Sequence, residues 1–246
     1  MVEGLLREAP ASPVSRTSDT PKAIIAPHAG YVYSGPIAAS AFQTVAPSAG
    51  RIERVVVLGP SHFVPFRGLA LPGESRFETP LGEIAVSPEA AQASIKLPQV
   101  RVQPDAHTRE HSIEVELPFL QVLLGEDFKI LPLAVGDASA EEVAEVLDRV
   151  WGGPETLIVI SSDLSHFHSY EEARAIDQAT AQRILELDGT LDGYEACGAR
   201  PVNGLLMLAR QRGLVPELLD LRNSGDTAGD RSRVVGYGAF AFREAA

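Results

Sequence analysis

The stretch LIVISSDLSH, residues 157–166, is an apolar run that ends in a polar turn carrying a histidine. Continuous Val/Ile/Leu runs of this length are typical of strands that are buried on both faces of a parallel sheet. Two further runs have the same form, AIIAPHAG at residues 23–30 and VVVLGPSH at residues 55–62. The three segments therefore predict buried strands, each followed at its carboxyl end by a histidine: His28, His62 and His166.

The rest of the chain alternates between strand-like and helix-like patterns. Besides the runs above (22–27, 54–59 and 156–161), strands are predicted at 69–71, 128–135, 217–222 and 233–242, and residues 77–86 read as a hairpin. Capping signals at Ser87, Ser139 and Ser169 each precede a helical pattern. We therefore predict the α/β class: a single-domain α/β/α sandwich with a largely parallel sheet over residues 21–246, preceded by a poorly ordered segment, residues 1–20.

Composition limits the partners and the compartment. The chain has 246 residues and a net charge of −12 with no basic run, which argues against a nucleic-acid partner. No apolar stretch reaches the ~18 residues of a transmembrane helix, and residues 1–19 lack the pattern of a signal peptide. The single cysteine, Cys197, excludes an intrachain disulfide, which favours a reducing, cytoplasmic compartment.

Histidines at the carboxyl ends of neighbouring parallel strands are candidates for a shared metal site. Ligands of open α/β sheets bind beyond those strand ends, and neutral imidazole is the commonest metal-binding side chain. The alternative for each is a turn histidine bonded to backbone. His166 is oriented either by Asp163 or by backbone, and the alternative for Asp163 is that it caps the next helix. Cys197 precedes a helix predicted from Val202, whose N-terminus would lower the thiol pKa and favour a thiolate ligand; the alternative is a small buried side chain.

Two other motifs point to hydrolases, but their contexts do not fit. The segment HTREH, from His107 to His111, matches the zinc-peptidase pattern H-x-x-E-H. That pattern needs one continuous helix, whereas Pro104 precedes it and the apolar period begins only at Ile113. We therefore expect His111 to face the cleft near His166 and His107 to point elsewhere. The Ser/Asp/His set within 161–166 comes from one segment and lacks a nucleophile elbow, which argues against a serine hydrolase.

An ordered set of short motifs across residues 21–242 resembles the MEMO family, whose prokaryotic members are known as AmmeMemoRadiSam system protein B. The motifs are PHAGYVYSG (27–35), LGPSH (58–62), EHSIEVELPF (110–119), SSDLSH (161–166), ACG (196–198), NSGD (223–226) and VGYG (235–238). The resemblance implies an α/β/α fold akin to the class III extradiol dioxygenases of the LigB type, which hold non-haem Fe(II) with two histidines and a carboxylate.

Carried onto this chain, the resemblance implies that His28 and His62 are metal ligands and that Cys197 stands where the dioxygenases place a glutamate. It implies that His166 is the acid/base histidine, for which Asp163 is a candidate partner, and that His111 contacts substrate. The implied metal is Fe(II); copper and zinc are the alternatives, because a thiolate is a softer ligand than a carboxylate.

Three functions follow from this site. The first is an oxidoreductase of the extradiol dioxygenase type that acts on a small chelating substrate. The second is a non-catalytic adaptor whose metal cleft presents a groove for a peptide or small ligand. The third is metal-assisted hydrolysis by a bound water. The predicted partner is thus a small molecule or peptide in the metal cleft, with no membrane; a homo-oligomer is compatible with the sequence.

Overall fold

The computed structural model describes residues 1–9 and 20–245, which contain an eleven-stranded sheet covered by helices. The strands are β1 (Ala23–Ala26), β2 (Arg54–Pro60), β3 (Leu69–Leu71), β4 (Arg76–Thr79), β5 (Gly82–Val86), β6 (Val100–Val102), β7 (Lys129–Val135), β8 (Thr156–Ser161), β9 (His166–His168), β10 (Leu214–Asn223) and β11 (Val234–Glu244). The helices are α1 (Val2–Glu8), α2 (Gly35–Gln43), α3 (Pro88–Ser94), α4 (Asp105–Thr108), α5 (Leu117–Leu124), α6 (Ala140–Arg149), α7 (Tyr170–Leu185) and α8 (Ala199–Arg212). Short 3₁₀ turns cover Ala46–Arg51, Glu114–Glu116 and Ser224–Asp226.

The centre of the sheet is parallel and its two sides carry antiparallel strands. The main order is β10-β11-β1-β8-β2-β7-β3-β6, in which β1, β8, β2 and β7 are mutually parallel. Strand β11 pairs antiparallel with β1, and β3 pairs antiparallel with β7. Ala26 lies opposite Ser161, and Pro60 lies opposite Val135. The carboxyl ends of the four central strands therefore meet at one edge, where His28 and His62 follow directly.

Alternate residues of each central strand pack on opposite faces of the sheet. Ile25 and Val56 belong to a core with α3, α6, α7 and α8, whereas Ile24 and Val57 belong to a core with α1, α2 and α5. Helices cover both faces of the sheet, so the side chains on both faces of each central strand are apolar. These strands therefore read as continuous apolar runs in the sequence. The prediction of an α/β sandwich with a largely parallel sheet is confirmed, with the parallel pairing concentrated at its centre.

The capping signals in the sequence mark real helix starts. Ser87 accepts a hydrogen bond from the Ala90 N–H at the start of α3, and Ser139 forms a reciprocal capping box with Glu142 at the start of α6. Helix α7 begins after Ser169, and the predicted hairpin forms from β4 and β5. The seven predicted strands are all present with boundaries within a few residues.

The front of the chain differs from the prediction. Residues 2–8 form α1, and Val2 and Leu6, one turn apart on the same helix face, are 7% and 6% exposed in the core beside α2 and α5. The expectation of a poorly ordered segment is therefore wrong for these residues, because the apolar side chains of α1, including Leu5, pack against the core. Residues 10–19 of that prediction lie outside the described residues. The assignment of residues 21–246 to one domain stays a prediction.

The HTREH segment is not one helix. His107 lies in the single turn of α4, which ends at Thr108, and His111 lies in the loop before the 3₁₀ turn Glu114–Glu116. The Nε2 atom of His107 is 2.9 Å from the Ala70 carbonyl oxygen, away from the other histidines. Among the described residues, every helix is either too short or too polar to cross a membrane.

Candidate metal centre

Three histidine rings meet beyond the carboxyl ends of β1 and β2. His28 follows β1, His62 follows β2, and His111 comes from the loop between α4 and α5. One ligand atom from each ring lies within 4.8 Å of the others, and the ring centroids are 5.1–5.5 Å apart. Among the described residues, no other three side chains of His, Cys, Asp or Glu bring their ligand atoms this close together. The cluster could hold a single metal ion.

His28 is held by two contacts from the end of β8. Its backbone N–H donates to Asp163 Oδ1 at 2.9 Å, and its Nδ1 lies 2.7 Å from Ser161 Oγ. Burial lowers the pKa of His28 well below its ordinary value, and the neighbouring His62 and His111 lower it further. The ring is therefore neutral, which is the form that binds metal. With Nδ1 engaged by Ser161, Nε2 is left for a ligand.

A count of the hydrogens around Ser161 identifies an arrangement of donors that fits all of its contacts. Its hydroxyl oxygen lies 2.5 Å from the Ser112 carbonyl, 2.8 Å from Glu116 Oε1 and 2.7 Å from His28 Nδ1. A hydroxyl donates a single hydrogen, and the Ser112 carbonyl can only accept. If the Ser161 hydrogen points to Ser112, then both His28 Nδ1 and a protonated Glu116 donate to Ser161. This arrangement satisfies all three contacts at once.

The burial of Glu116 agrees with a neutral carboxyl. Its side chain is 0% exposed, and its Oε2 atom has no hydrogen-bond partner among the described residues. Burial raises the pKa of Glu116 well above its ordinary value, although the hydrogen bond with Ser161 acts in the opposite direction. Glu116 therefore supports the Nδ1–H tautomer of His28, although it contacts the histidine cluster only through Ser161.

His62 is oriented by a second carboxyl group, that of Glu110. The ring Nδ1 of His62 lies 2.8 Å from Glu110 Oε1, and its backbone N–H donates to Oε2 at 2.6 Å. Oε1 also accepts from the N–H groups of His111 and Ser112 at 3.0 and 2.9 Å. Burial acts to raise the pKa of Glu110, but the donors from His62 and Ser112 outweigh it and lower the pKa to about 2. An ionised Glu110 thus keeps the proton of His62 on Nδ1 and leaves Nε2 for metal.

Cys197 lies next to this cluster, with its sulfur 3.4 Å from His28 Nε2. Burial and the nearby Asp163 carboxyl raise the pKa of the Cys197 thiol to about 12. The prediction that a helix N-terminus would lower this pKa is wrong, because desolvation disfavours the thiolate more than the start of α8 favours it. That helix begins at Ala199, earlier than the predicted Val202. A cation beside the sulfur would be needed to favour the thiolate.

His166 is oriented by backbone, one of the two arrangements that the sequence allows, and Asp163 contacts a different histidine. His166 Nδ1 lies 2.8 Å from the Leu164 carbonyl, so backbone orients the ring and Nε2 is free to accept a proton. Asp163 instead accepts from the N–H of His28, and burial raises its pKa to about 6. Asp163 therefore fixes the loop that carries His28. His166 follows Asp163 by three residues in the chain, so the segment after β8 both contacts His28 and carries His166.

The residues that the sequence reasoning missed are Glu110, Glu116 and Ser161. Acidic side chains near a helix start are ordinarily solvated, so nothing in the local pattern predicts that Glu110 and Glu116 are buried. The one available signal was position, because Glu110 immediately precedes His111 and Ser161 is the last residue of β8.

The fold and the histidine cluster define an α/β/α sandwich protein with a candidate site for one metal ion at the carboxyl edge of its sheet. A family model described as "Memo-like protein" matches residues 2–241. The chain belongs to this family, as its motifs predict.

Several relatives cover most of the chain. It is 39% identical over 228 residues to a MEMO1 family protein of Methanosarcina acetivorans, an alignment that covers 87% of this chain and 83% of the relative. It is 36% identical over 231 residues to a MEMO1 family protein of Nitrosopumilus maritimus, covering 89% and 83%. The crystal structure of an uncharacterized protein from Escherichia coli K12 matches with a TM-score of 0.57 at 14% identity, over 87% of this chain and 98% of that one. That likeness concerns the fold alone.

Proposed function

We propose that this chain is an iron-dependent oxidoreductase of the extradiol dioxygenase type that acts on a small chelating substrate. The observation that carries the proposal is the convergence of His28, His62 and His111 within 4.8 Å, with two of the rings oriented from behind by Glu110 and Ser161. Three protein ligands with open positions are typical of catalytic metal sites.

The donor set fits a transition metal. Neutral imidazoles suit iron, copper and zinc, and a nearby thiol suits the softer of these ions. The low pKa of His28 keeps that ring in the neutral, ligand form, and the contact from Glu110 to Nδ1 of His62 leaves its Nε2 for metal. Fe(II) is the metal we favour, with copper and zinc as alternatives. When bound, the metal would supply an electrophilic centre that holds a chelating substrate next to dioxygen.

The residues of the chain divide into ligands and proton carriers. His28 and His62 are ligands in any arrangement. Spacing favours His111 over Cys197 as the third, because its ring atom joins the set within 4.8 Å. His166 accepts at Nε2 the proton that a substrate hydroxyl loses when it chelates, since its Nδ1 is already committed to the Leu164 carbonyl. The side chains of His62 and His111 are 28% and 48% exposed, which leaves one side of the cluster open for a ligand.

The test is anaerobic loading of the protein with Fe(II), copper or zinc, followed by metal analysis and by measurement of O₂ uptake with a panel of catechols. We expect a single bound metal ion per chain and O₂ uptake in the iron form. His62→Ala should lose the metal, whereas His107→Ala, a matched histidine whose ring bonds Ala70, should retain it. An iron-loaded protein that consumes no O₂ with any catechol would contradict the oxidoreductase proposal.

A second function is favoured by one observation, the 3.4 Å contact between Cys197 Sγ and His28 Nε2. A fourth protein donor could close the coordination shell, which is typical of structural or sensing sites rather than catalytic ones. The protein would then be a metal-dependent binding module. Addition of azide to the Co(II)-loaded protein distinguishes the two: a changed visible spectrum indicates an open position, and an unchanged spectrum favours the binding module.

A further inference from the structure

A cavity of about 580 Å³ opens beside Cys197 at the carboxyl ends of β2 and β7. Its size lies in the range of small-molecule sites. Because Cys197 lines it and also contacts His28 Nε2, the cavity lies next to the histidine cluster. Its walls are largely apolar, formed by residues that include Pro60, Val64 and Val135.

The charged residues of this cavity are Arg67, Arg200 and Asp137, so its lining carries a net positive charge. The chain as a whole has a net charge of −12, so the sign of the charge in this cavity is opposite to that of the chain. Arg200 forms an ion pair with Asp137, at 2.7 Å, and also donates a hydrogen bond to the Ala138 carbonyl at 3.2 Å. Within the described part of the chain, the Arg67 guanidinium has no hydrogen-bond acceptor.

The backbone that carries Arg67 is fixed in place. The Asp137 N–H donates to the Phe66 carbonyl at 2.7 Å, and the Gly68 N–H donates to the Asp137 carbonyl at 3.0 Å. Gly68 has φ +83°, and a Cβ there would lie 2.0 Å from the Gln99 carbonyl oxygen, so the bend requires glycine. The unpartnered guanidinium therefore extends from a rigid wall of the cavity rather than from a loose loop.

We propose that this cavity binds the carboxylate of a small acidic substrate, through Arg67 and the free part of Arg200. A planar guanidinium matches a carboxylate with two parallel hydrogen bonds, and the apolar walls accommodate a hydrocarbon or aromatic body. The chelating group of the same molecule would reach the histidine cluster past Cys197. The chelation half of this inference rests on the proposed function; the anion half does not.

The first experiment measures ligand binding to the zinc-loaded protein, in which a catechol is not consumed. The probes are a catechol with a propanoate arm and the corresponding amide, measured by calorimetry. We expect the acid to bind more tightly than the amide, and Arg67→Gln to reduce that preference about tenfold through loss of a charged hydrogen bond. The matched control is Arg174→Gln, which removes an exposed arginine paired with Glu171 on α7 and should change the preference by less than about twofold.

The second experiment uses Cys197, the single cysteine of the chain, as a probe of charge inside the cavity. The rates of its modification by an anionic and a cationic methanethiosulfonate are compared at one pH, so the thiolate fraction cancels in the ratio. We expect the anionic reagent to be favoured, and the ratio to fall about threefold or more in Arg67→Gln but not in Arg174→Gln.

The outcomes separate this inference from the proposed function. If catechols bind but the preference for the acid is the same in Arg67→Gln and the parent, the inference is wrong and the proposed function survives. If no catechol binds, phenylpropanoate, which lacks the chelating hydroxyls, is tested by NMR titration. Binding of phenylpropanoate that depends on Arg67 would support the anion site while the proposed function fails. Absence of binding by both acids at millimolar concentration would overturn the inference.

Discussion

Replacing Glu110 by Gln is expected to weaken metal binding about 10- to 100-fold, although Glu110 itself is not a ligand. The carboxylate accepts from the ring and the backbone N–H of His62 and from the N–H groups of His111 and Ser112. It therefore orients two of the three rings of the cluster. A carboxylate behind a ligand histidine also raises the basicity of the ring, and an uncharged amide does this less.

The magnitude follows from these contacts. A Gln side chain can keep the oxygen that accepts three of the hydrogen bonds. Its amino group then faces the backbone N–H of His62, which loses its 2.6 Å hydrogen bond because both groups are donors. An unsatisfied buried donor costs about 1–3 kcal/mol of folding free energy, and the partly buried N–H of His62 corresponds to the lower end of that range. The 10- to 100-fold loss of affinity corresponds to about 1.4–2.7 kcal/mol of binding free energy. Both changes are large enough to measure in the same variant.

The assay is a competition titration of Co(II) or zinc against a chromophoric chelator, with urea unfolding of the metal-free protein in parallel. Glu114→Gln is the matched control, because Glu114 is an exposed glutamate in the same segment. That variant should match the parent in both measurements. A Glu110→Gln protein that folds and binds metal within about twofold of the parent would refute the argument that Glu110 orients the ligand rings.

Three further predictions test the surroundings of the cluster. Glu116→Gln keeps a donor toward Ser161 and should bind metal within about twofold of the parent, whereas Glu116→Ala should lose metal affinity about tenfold. Equal losses of affinity in the two variants, measured by chelator titration, would contradict a neutral Glu116. His166→Ala should retain the metal but reduce catechol-dependent O₂ uptake about 100-fold, and metal loss equal to that of His62→Ala would contradict its role as a base. Asp177 lies in α7 and accepts a hydrogen bond from the N–H of Ser165, the residue before His166. Burial raises the pKa of Asp177, so its contribution to stability is present below the unfolded-state pKa and declines as pH rises through the folded-state value. As the pH rises above about 4, the ordinary pKa of an aspartate, Asp177→Asn should therefore gain stability relative to the parent in urea unfolding, and a difference independent of pH would contradict this.

The sequence predicted the architecture well because the central strands are buried on both faces. Continuous apolar runs gave β1, β2 and β8, and capping residues such as Ser139 gave the helix starts. The strands β6 and β9 were not predicted because their residues, VRV and HFH, do not form an apolar run, unlike the equally short LAL of β3. Helix α1 was missed because it is held by packing against α2 and α5 rather than by a strong local pattern.

The sequence by itself determined that His28 and His62 follow the carboxyl ends of two buried strands, because strand ends and the turns after them are encoded locally. Tertiary structure alone decided that Glu110 and Glu116 are buried, and that one is ionised while the other is neutral. Both are glutamates of the same segment, and only the donors that surround each carboxyl differ. Desolvation likewise reversed the expected pKa shift of Cys197, because burial depends on what the rest of the chain places around a group.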